Sequence, residues 1–206
     1  EKLNNSHPAR EYLLNRRLPL DDLFWTDTFK EFTNSVKSGT FDDTSKDEGR
    51  IIIPFRDKEG VTFGYQGRSL EKTGLRYITI LLQEDASKIF GLNRLDYDNT
   101  IYITEGPFDS LLLDNAIAMA GADVSHSSVV GGDVVFVYDN EPRNPQITQR
   151  IQKHIDSGDS VIIWPKNIRE KDVNDMVLAG IDVKNVVKSN TYSGLTAKLK
   201  FNDWKK

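Results

Sequence analysis

Ile101-Tyr-Ile-Thr-Glu-Gly-Pro-Phe-Asp109 and Val134-Val-Phe-Val-Tyr-Asp-Asn-Glu141 are two runs of β-branched and aromatic residues that each end abruptly in carboxylates. Continuous apolar runs of this kind read as buried, parallel strands. Glu105, Asp139 and Glu141 then fall just past the strand ends, the edge at which open α/β sheets bind ligands. Carboxylates that converge there repel one another unless a cation lies between them. A hard divalent ion held by oxygen ligands, such as Mg²⁺, is the simplest expectation.

Around these runs the pattern alternates. A strand over 101–104 leads to a helix over 107–115, and a short strand over 116–120 ends at Gly121. A strand over 133–138 leads to a helix over 145–157 that Gly158 stops, and 160–164 is a further strand. Lys171-Asp-Val-Asn-Asp175 opens a helix to about Leu178, and 195–201 reads as a last helix or strand. Alternating β and α elements predict a parallel sheet covered by helices.

The upstream part reads differently. Residues 7–17 predict a helix with Pro8 in its first turn, and 20–38 one or two short helices around Leu23, Phe24, Phe29 and Phe32. The polar, Gly-bounded 39–49 is a loop. The runs 50–56 and 61–69 flank a short turn containing Gly60 and predict a hairpin, with 75–82 as a third strand and 87–95 as a connector. Here Arg50, Arg56, Lys58, Arg68, Lys72 and Arg76 outnumber Asp57, Glu59 and Glu71.

The bulk composition narrows the classes. The 206 residues carry a net charge of −4, with 38% hydrophobic and 28% charged residues, which describes a globular chain. That charge argues against indiscriminate coating of nucleic acid. No apolar run approaches the roughly 18 residues that span a membrane, and no secretory signal opens the chain. The chain starts at Glu1 and reads as a piece of a longer protein. It has no cysteine, which rules out disulfides and any Cys-based zinc site within these residues. His7, His126 and His154 are scattered and read as surface or packing residues.

Each acid has a bland alternative. Asp109, one turn into a helix, suits the helix dipole as well as a site. Asp139 and Glu141, two residues apart, can face one metal or simply form a turn. Asp172 and Asp175 suit a helix N-cap. Together they are stronger, because separate strands of one sheet would bring acids to one edge. That arrangement suits two-metal phosphoryl transfer.

Glu105-Gly-Pro-Phe-Asp109, Asp139-Asn-Glu141 and Lys171-Asp172 with Asn174-Asp175 resemble the acidic signature of the Toprim domain, shared by bacterial-type primases, type IA and type II topoisomerases and some nucleases. Two departures stand out: Glu141 replaces the second Asp of the usual Asp-x-Asp, and Pro142 replaces a Gly that often follows. Upstream, Arg50-Ile-Ile-Ile-Pro-Phe-Arg-Asp-Lys-Glu-Gly60, Gly64-Tyr-Gln-Gly-Arg-Ser69, Arg76-Tyr77 and Ile89-Phe-Gly-Leu92 resemble the core of DnaG-type primases, most of all those of T-even-type phages. Topoisomerases have none of these upstream motifs.

The resemblance implies an α/β fold with a Toprim domain at 97–182, a parallel sheet flanked by helices, preceded by a smaller basic α+β subdomain at 1–96 and followed by an extension at 183–206. It implies a DNA primase core that joins ribonucleoside triphosphates into short RNA primers on a single-stranded DNA template, in a bacterial host cytoplasm if phage-encoded. Glu105, Asp139 and Glu141 would be catalytic, and these with Asp172 and, second, Asp175 would hold Mg²⁺ or Mn²⁺. Glu105 would also be a general base. Arg56, Arg68, Arg76 and Tyr77 would contact template or nucleotide. Gly64 and Gly67 would admit phosphates, Tyr65 as well as Tyr77 would stack on bases, and Lys58 and Lys72 read as surface charge. Phe63 and the isoleucines read as core. A replicative helicase is the family's usual partner. Its usual zinc-binding domain would lie upstream of Glu1 or be absent. The alternatives are a Toprim nuclease or topoisomerase-like strand cleaver, and a single-stranded-DNA-binding module with a degenerate metal site.

Overall fold

The structure, a computed structural model, describes residue 3 and residues 7–71, 74–120 and 132–206. Lys72, Gly121 and His126 lie outside the described residues. The chain divides into two compact units, Glu1–Asn93 and Arg94–Lys206. Among the described residues no helix is long and apolar enough to cross a membrane.

The first unit opens with helix α1 (Pro8–Asn15), whose N-cap His7 accepts the Ala9 N–H on Nδ1 at 3.1 Å. Its body is an antiparallel sheet in the order β1 (Phe24–Thr26), β2 (Arg50–Arg56), β3 (Thr62–Ser69), β4 (Tyr77–Leu81). The β2–β3 hairpin turns at Gly60, whose φ of +83° suits glycine. Asp57 accepts the Val61 N–H on its side chain at 2.8 Å.

Residues 20–38, expected as helix alone, split into β1 and helix α2 (Phe29–Val36). The aromatic, β-branched Phe24-Trp25-Thr26 pairs with residues 50–52 of β2, a long-range partner that outcompetes local helix formation. Helix α2 covers one face of the sheet, where Phe29, Ile52, Tyr65 and Ile80 form a buried cluster. Gly67 is required there, because a Cβ would collide with the Phe29 ring. Gly64 is closed off by β4, with the Ile80 carbonyl 2.8 Å from where its Cβ would stand. The two glycines thus serve sheet packing, and the expectation that they admit phosphates is corrected.

The second unit is built on a five-stranded sheet in the order β6 (Ala116–Ala118), β5 (Ile101–Thr104), β7 (Val134–Val137), β8 (Ser160–Ile162), β9 (Thr191–Tyr192). The first four strands are parallel, and β9 is an antiparallel edge. Strands β5 and β7 are buried throughout, as their unbroken apolar runs require.

Helix α3 (Pro107–Ser110) is a single turn, shorter than the expected 107–115. Asn115 adopts φ +49°, and its amide donates to the Asp96 carbonyl at 2.8 Å, so the chain turns into β6 early. Helix α4 (Pro145–Ser157) has the expected bounds: Asn144 accepts the Gln146 N–H and Gly158 closes it at φ +87°. Helices α5 (Val173–Leu178), α6 (Val183–Ser189) and α7 (Gly194–Trp204) follow. His154, buried on α4, stacks on Phe136 at 3.5 Å and bonds Asp159 at 2.7 Å, a packing role.

Candidate active site

Thr104 of β5 and Val137 of β7 are paired in register, so Glu105 and Asp139 leave the sheet side by side at its C-terminal edge. The Asp139 N–H donates to Glu105 Oε1 at 3.4 Å. Glu141, two residues on, keeps its carboxylate within reach of the same cation: Lys171 Nζ lies 3.5 Å from Glu141 and 3.7 Å from Asp139. Arg150 of α4 meets Glu105 at 3.3 Å. Asn144, the α4 N-cap, donates to Glu141 at 3.3 Å.

The electrostatics follow from burial and crowding. Burial, then the neighbouring Glu105, pushes the Asp139 carboxyl from its usual 3.8 up to about 7, against the pull of Lys171. Burial also raises Glu105, opposed by the Asp139 N–H and by Arg150. Burial alone would lower Lys171, but Asp139, Glu141 and Asp172 hold it above its usual value. Burial and mutual crowding thus oppose full ionisation of Glu105 and Asp139, even beside Lys171 and Arg150.

Asp172 caps α5, accepting the Asp175 N–H at 2.7 Å, and its charge acts on both Asp139 and Lys171. Glu105, Asp139, Glu141 and Asp172 are thus brought together. Asp175 is exposed, and no hydrogen bond or ion pair among the described residues joins its carboxylate to them. Asp109 accepts the Asn174 N–H at 3.1 Å and ties α3 to α5.

Three residues of this edge escaped the sequence reading. Lys171 stands in the quoted Lys171-Asp172 pair, so its type was visible, although its place between two acids was not. Arg150 carries no local signal. Asn140, between the acids, holds the loop before α5 through its backbone and side chain.

Hard carboxylate oxygens crowded at one sheet edge fit a divalent cation, which would favour their ionised form. Among the described residues no three acids are already in a ligating arrangement. Lys171 and Arg150 lie beside them as built-in counter-ions.

The basic residues of the first unit are sorted by the strand pleat. Arg68 pairs with Ile51 and Tyr77, and that face also carries Gln66 and Thr79. Its guanidinium lies 4.8 Å from the Tyr77 ring centre and 5.7 Å from that of Tyr12, donates to Tyr12 Oη at 2.8 Å and to the Ser69 carbonyl at 2.7 Å, and keeps a buried Nε that has no hydrogen-bond partner among the described residues. Tyr77 and Arg76 are exposed.

Arg56 lies on the other face, with Ile52 and Pro54 along a mostly apolar cavity of about 590 Å³, and pairs with Asp22 at 3.0 Å. Arg68 with Tyr77 and Arg56 therefore do not form one surface. Tyr65 is buried and donates to Thr33 at 2.8 Å, which corrects its expected role in base stacking. Arg50 is buried against Gly67 and Glu48.

No protein-family model matches the chain. The chain is 35% identical over 216 residues to the DNA primase of Enterobacteria phage T4, covering all of this chain and 63% of that protein. It spans a little under two thirds of that relative's length. Among solved structures, it is similar to the Escherichia coli primase catalytic core (TM-score 0.65, 16% identity, 95% of this chain and 76% of that one). It is also similar to a DnaG primase catalytic domain bound to single-stranded DNA (TM-score 0.58, 16% identity, 90% of this chain and 72% of that one). Homology to a DNA primase thus runs the length of the chain, and the fold is that of DnaG catalytic cores.

Proposed function

We propose that this chain is the RNA-polymerase core of a DnaG-type DNA primase, extending an RNA strand on single-stranded DNA by nucleotidyl transfer. The observation that carries this reading is the meeting of Glu105, Asp139, Glu141 and Lys171 at the ends of two adjacent parallel strands, in a chain homologous throughout to a primase. The strand-cleaving alternative finds no support among these relatives, which are primases.

In this reading 1–96 form the basic subdomain, 97–182 the Toprim domain and 183–206 its extension. Glu105, Asp139, Glu141 and Asp172 would hold Mg²⁺ or Mn²⁺, and Asp175 is the weakest member of the set. The bound cation would polarise the attacking 3′-hydroxyl and stabilise the departing pyrophosphate oxygens. Glu105, whose carboxyl burial raises above its usual range, would take up the hydroxyl proton. Lys171 can offer its ammonium to a phosphate oxygen as well as to Asp139 and Glu141. Arg76 and Tyr77, exposed on β4 or beside it, would meet phosphate and base, with Arg68 backing the Tyr77 ring. Arg56 would make a separate phosphate contact.

The template is taken as single-stranded DNA by analogy with the DNA-bound relative. Ribonucleoside triphosphates and a replicative helicase complete the proposed partners. Incubation with single-stranded template, labelled ribonucleotides and Mg²⁺ or Mn²⁺ tests the reading. New RNA supports it and cut template supports the strand cleaver. Binding without synthesis overturns it.

A further inference from the structure

We propose that Asn140 is a positioning residue that sets how far the Lys171–Asp172 loop stands from Asp139 and Glu141, and that Trp204 of α7 locks it in place. The inference rests on the metal-site reading above and deepens it.

Asn140 uses both ends of its amide and its backbone at once. Its N–H donates to the Lys171 carbonyl at 2.6 Å. Its two side-chain N–H groups donate to the carbonyls of Ile168 at 3.0 Å and Glu170 at 3.1 Å. Its Oδ1 accepts the Trp204 indole N–H at 3.0 Å. The pattern admits one amide orientation, since carbonyls need the NH₂ end and the indole needs the oxygen. No isosteric residue reproduces it: Asp lacks the donors and Leu lacks everything.

The placement matters for the site. The Glu141 N–H donates to the Asp139 carbonyl at 2.9 Å, so the chain turns tightly at Asn140. Asp139 and Glu141 both reach Lys171 Nζ, while Asn140 reaches the backbone of the loop that carries it. That loop ends in Asp172, the α5 N-cap. One side chain thus fixes the second acidic element against the third without filling the space where a cation would sit.

Trp204 is buried, stacks with Phe201 at 6.0 Å, and is the last residue of α7. Trp164 donates to the Tyr138 carbonyl at 2.8 Å, a second tie on the same strand end. The C-terminal helix is therefore wired to the acid pair through one hydrogen bond. Removing Asn140 would strand two carbonyls and an indole N–H, and the loop would move toward other partners before accepting that.

The test uses Asn140→Ala, Asn140→Asp and Trp204→Phe in this chain, the last removing the indole N–H together with part of the buried ring. Mn²⁺ affinity is read by electron paramagnetic resonance, and the mobility of 168–172 in metal-free protein by amide hydrogen exchange. Loss of an outer-shell partner of a metal site typically costs about 10–100-fold in affinity. Asn140→Ala is expected in that range, and Trp204→Phe at a few-fold in the same direction, each with faster exchange at 168–172. Primer synthesis should be partly rescued by raising Mn²⁺.

If Asn140→Ala does not fold, Trp204→Phe decides. Wild-type Mn²⁺ affinity and unchanged exchange in folded variants would overturn the inference while leaving the metal site intact. Absence of Mn²⁺ binding by the unaltered chain would instead overturn the site reading, and the inference with it.

Discussion

The carboxylate edge of the second unit and the arginine-bearing sheet of the first are both sets of like charges read from sequence, and the fold treats them differently. At the carboxylate edge, strand ends do the placing. Glu105 and Asp139 follow strands that are neighbours in register, so topology alone makes them adjacent. In the first sheet, position along a strand does the placing, and the pleat sends successive residues to opposite faces. Arg68 and Arg56 part company for that reason, and Arg50 is spent on packing. Acids past strand ends can be grouped from sequence, whereas arginines within strands need the face assigned first.

The largest expected effect tests the first half of that contrast. Asp139→Asn should cut primer synthesis by about 100-fold or more, since a ligand should matter at least as much as an outer-shell partner. The same change should raise the melting temperature of the metal-free protein, because it removes a buried carboxylate crowded by Glu105. Lower activity with unchanged or lower stability would show that repulsion does not dominate this edge. Scanning calorimetry and a primer assay on one preparation decide it.

A second comparison breaks the arginines apart. Arg68→Lys loses two ring contacts and the forked hydrogen bonds and should cost about 2 kcal/mol of stability. Arg56→Lys alters a partly exposed ion pair with Asp22 and should cost about 0–1 kcal/mol. Urea unfolding of the two variants measures the difference. Equal losses would mean that the pleat does not sort these residues as described.

The sequence reading reached as far as local chemistry and strand order allow. Helix α4 was legible to the residue because Asn144-Pro145 starts it and Gly158 stops it. The parallel sheet was legible because β5 and β7 are unbroken apolar runs, which also fixed where Glu105, Asp139 and Glu141 emerge. Strand β1 was not, since three residues have no strand identity until β2 pairs with them. Tyr65 and Gly67 were misassigned because only the arrival of Phe29 shows that their face is core. Lys171 was quoted within its motif, yet its place between Asp139 and Glu141 depends on a loop folded back onto Asn140, a contact no local pattern encodes.

pH sharpens the comparison further. In the metal-free protein Asp139 holds its proton up to about pH 7, while an ordinary Asp releases it near 3.8. Between those values the folded state binds more protons than the unfolded one, so stability falls as pH rises through the window. Glu105, raised as well, acts in the same direction. Metal-free melting temperature should therefore drop between about pH 4 and pH 7, and Mg²⁺ should flatten that slope, because a cation favours the ionised acids and its binding releases protons. A metal-free melting temperature that climbs across this range would contradict the described charge balance.

The smallest effect separates two acids that the motif alone treats as equals. Asp172 caps α5 and its charge reaches Asp139 and Lys171, whereas the Asp175 carboxylate is exposed and its backbone N–H is what Asp172 receives. Asp172→Ala removes both a cap, worth about 0.5–2 kcal/mol, and a charge from the cluster, so stability and Mn²⁺ affinity should fall together. Asp175→Ala loses only a first-turn charge, worth about 0.3–1 kcal/mol by the helix dipole, and should leave Mn²⁺ affinity nearly unchanged. Equal loss of Mn²⁺ binding in the two variants would bring Asp175 into the site, and would mean that the α5 N-terminus shifts by part of a turn when the ion arrives.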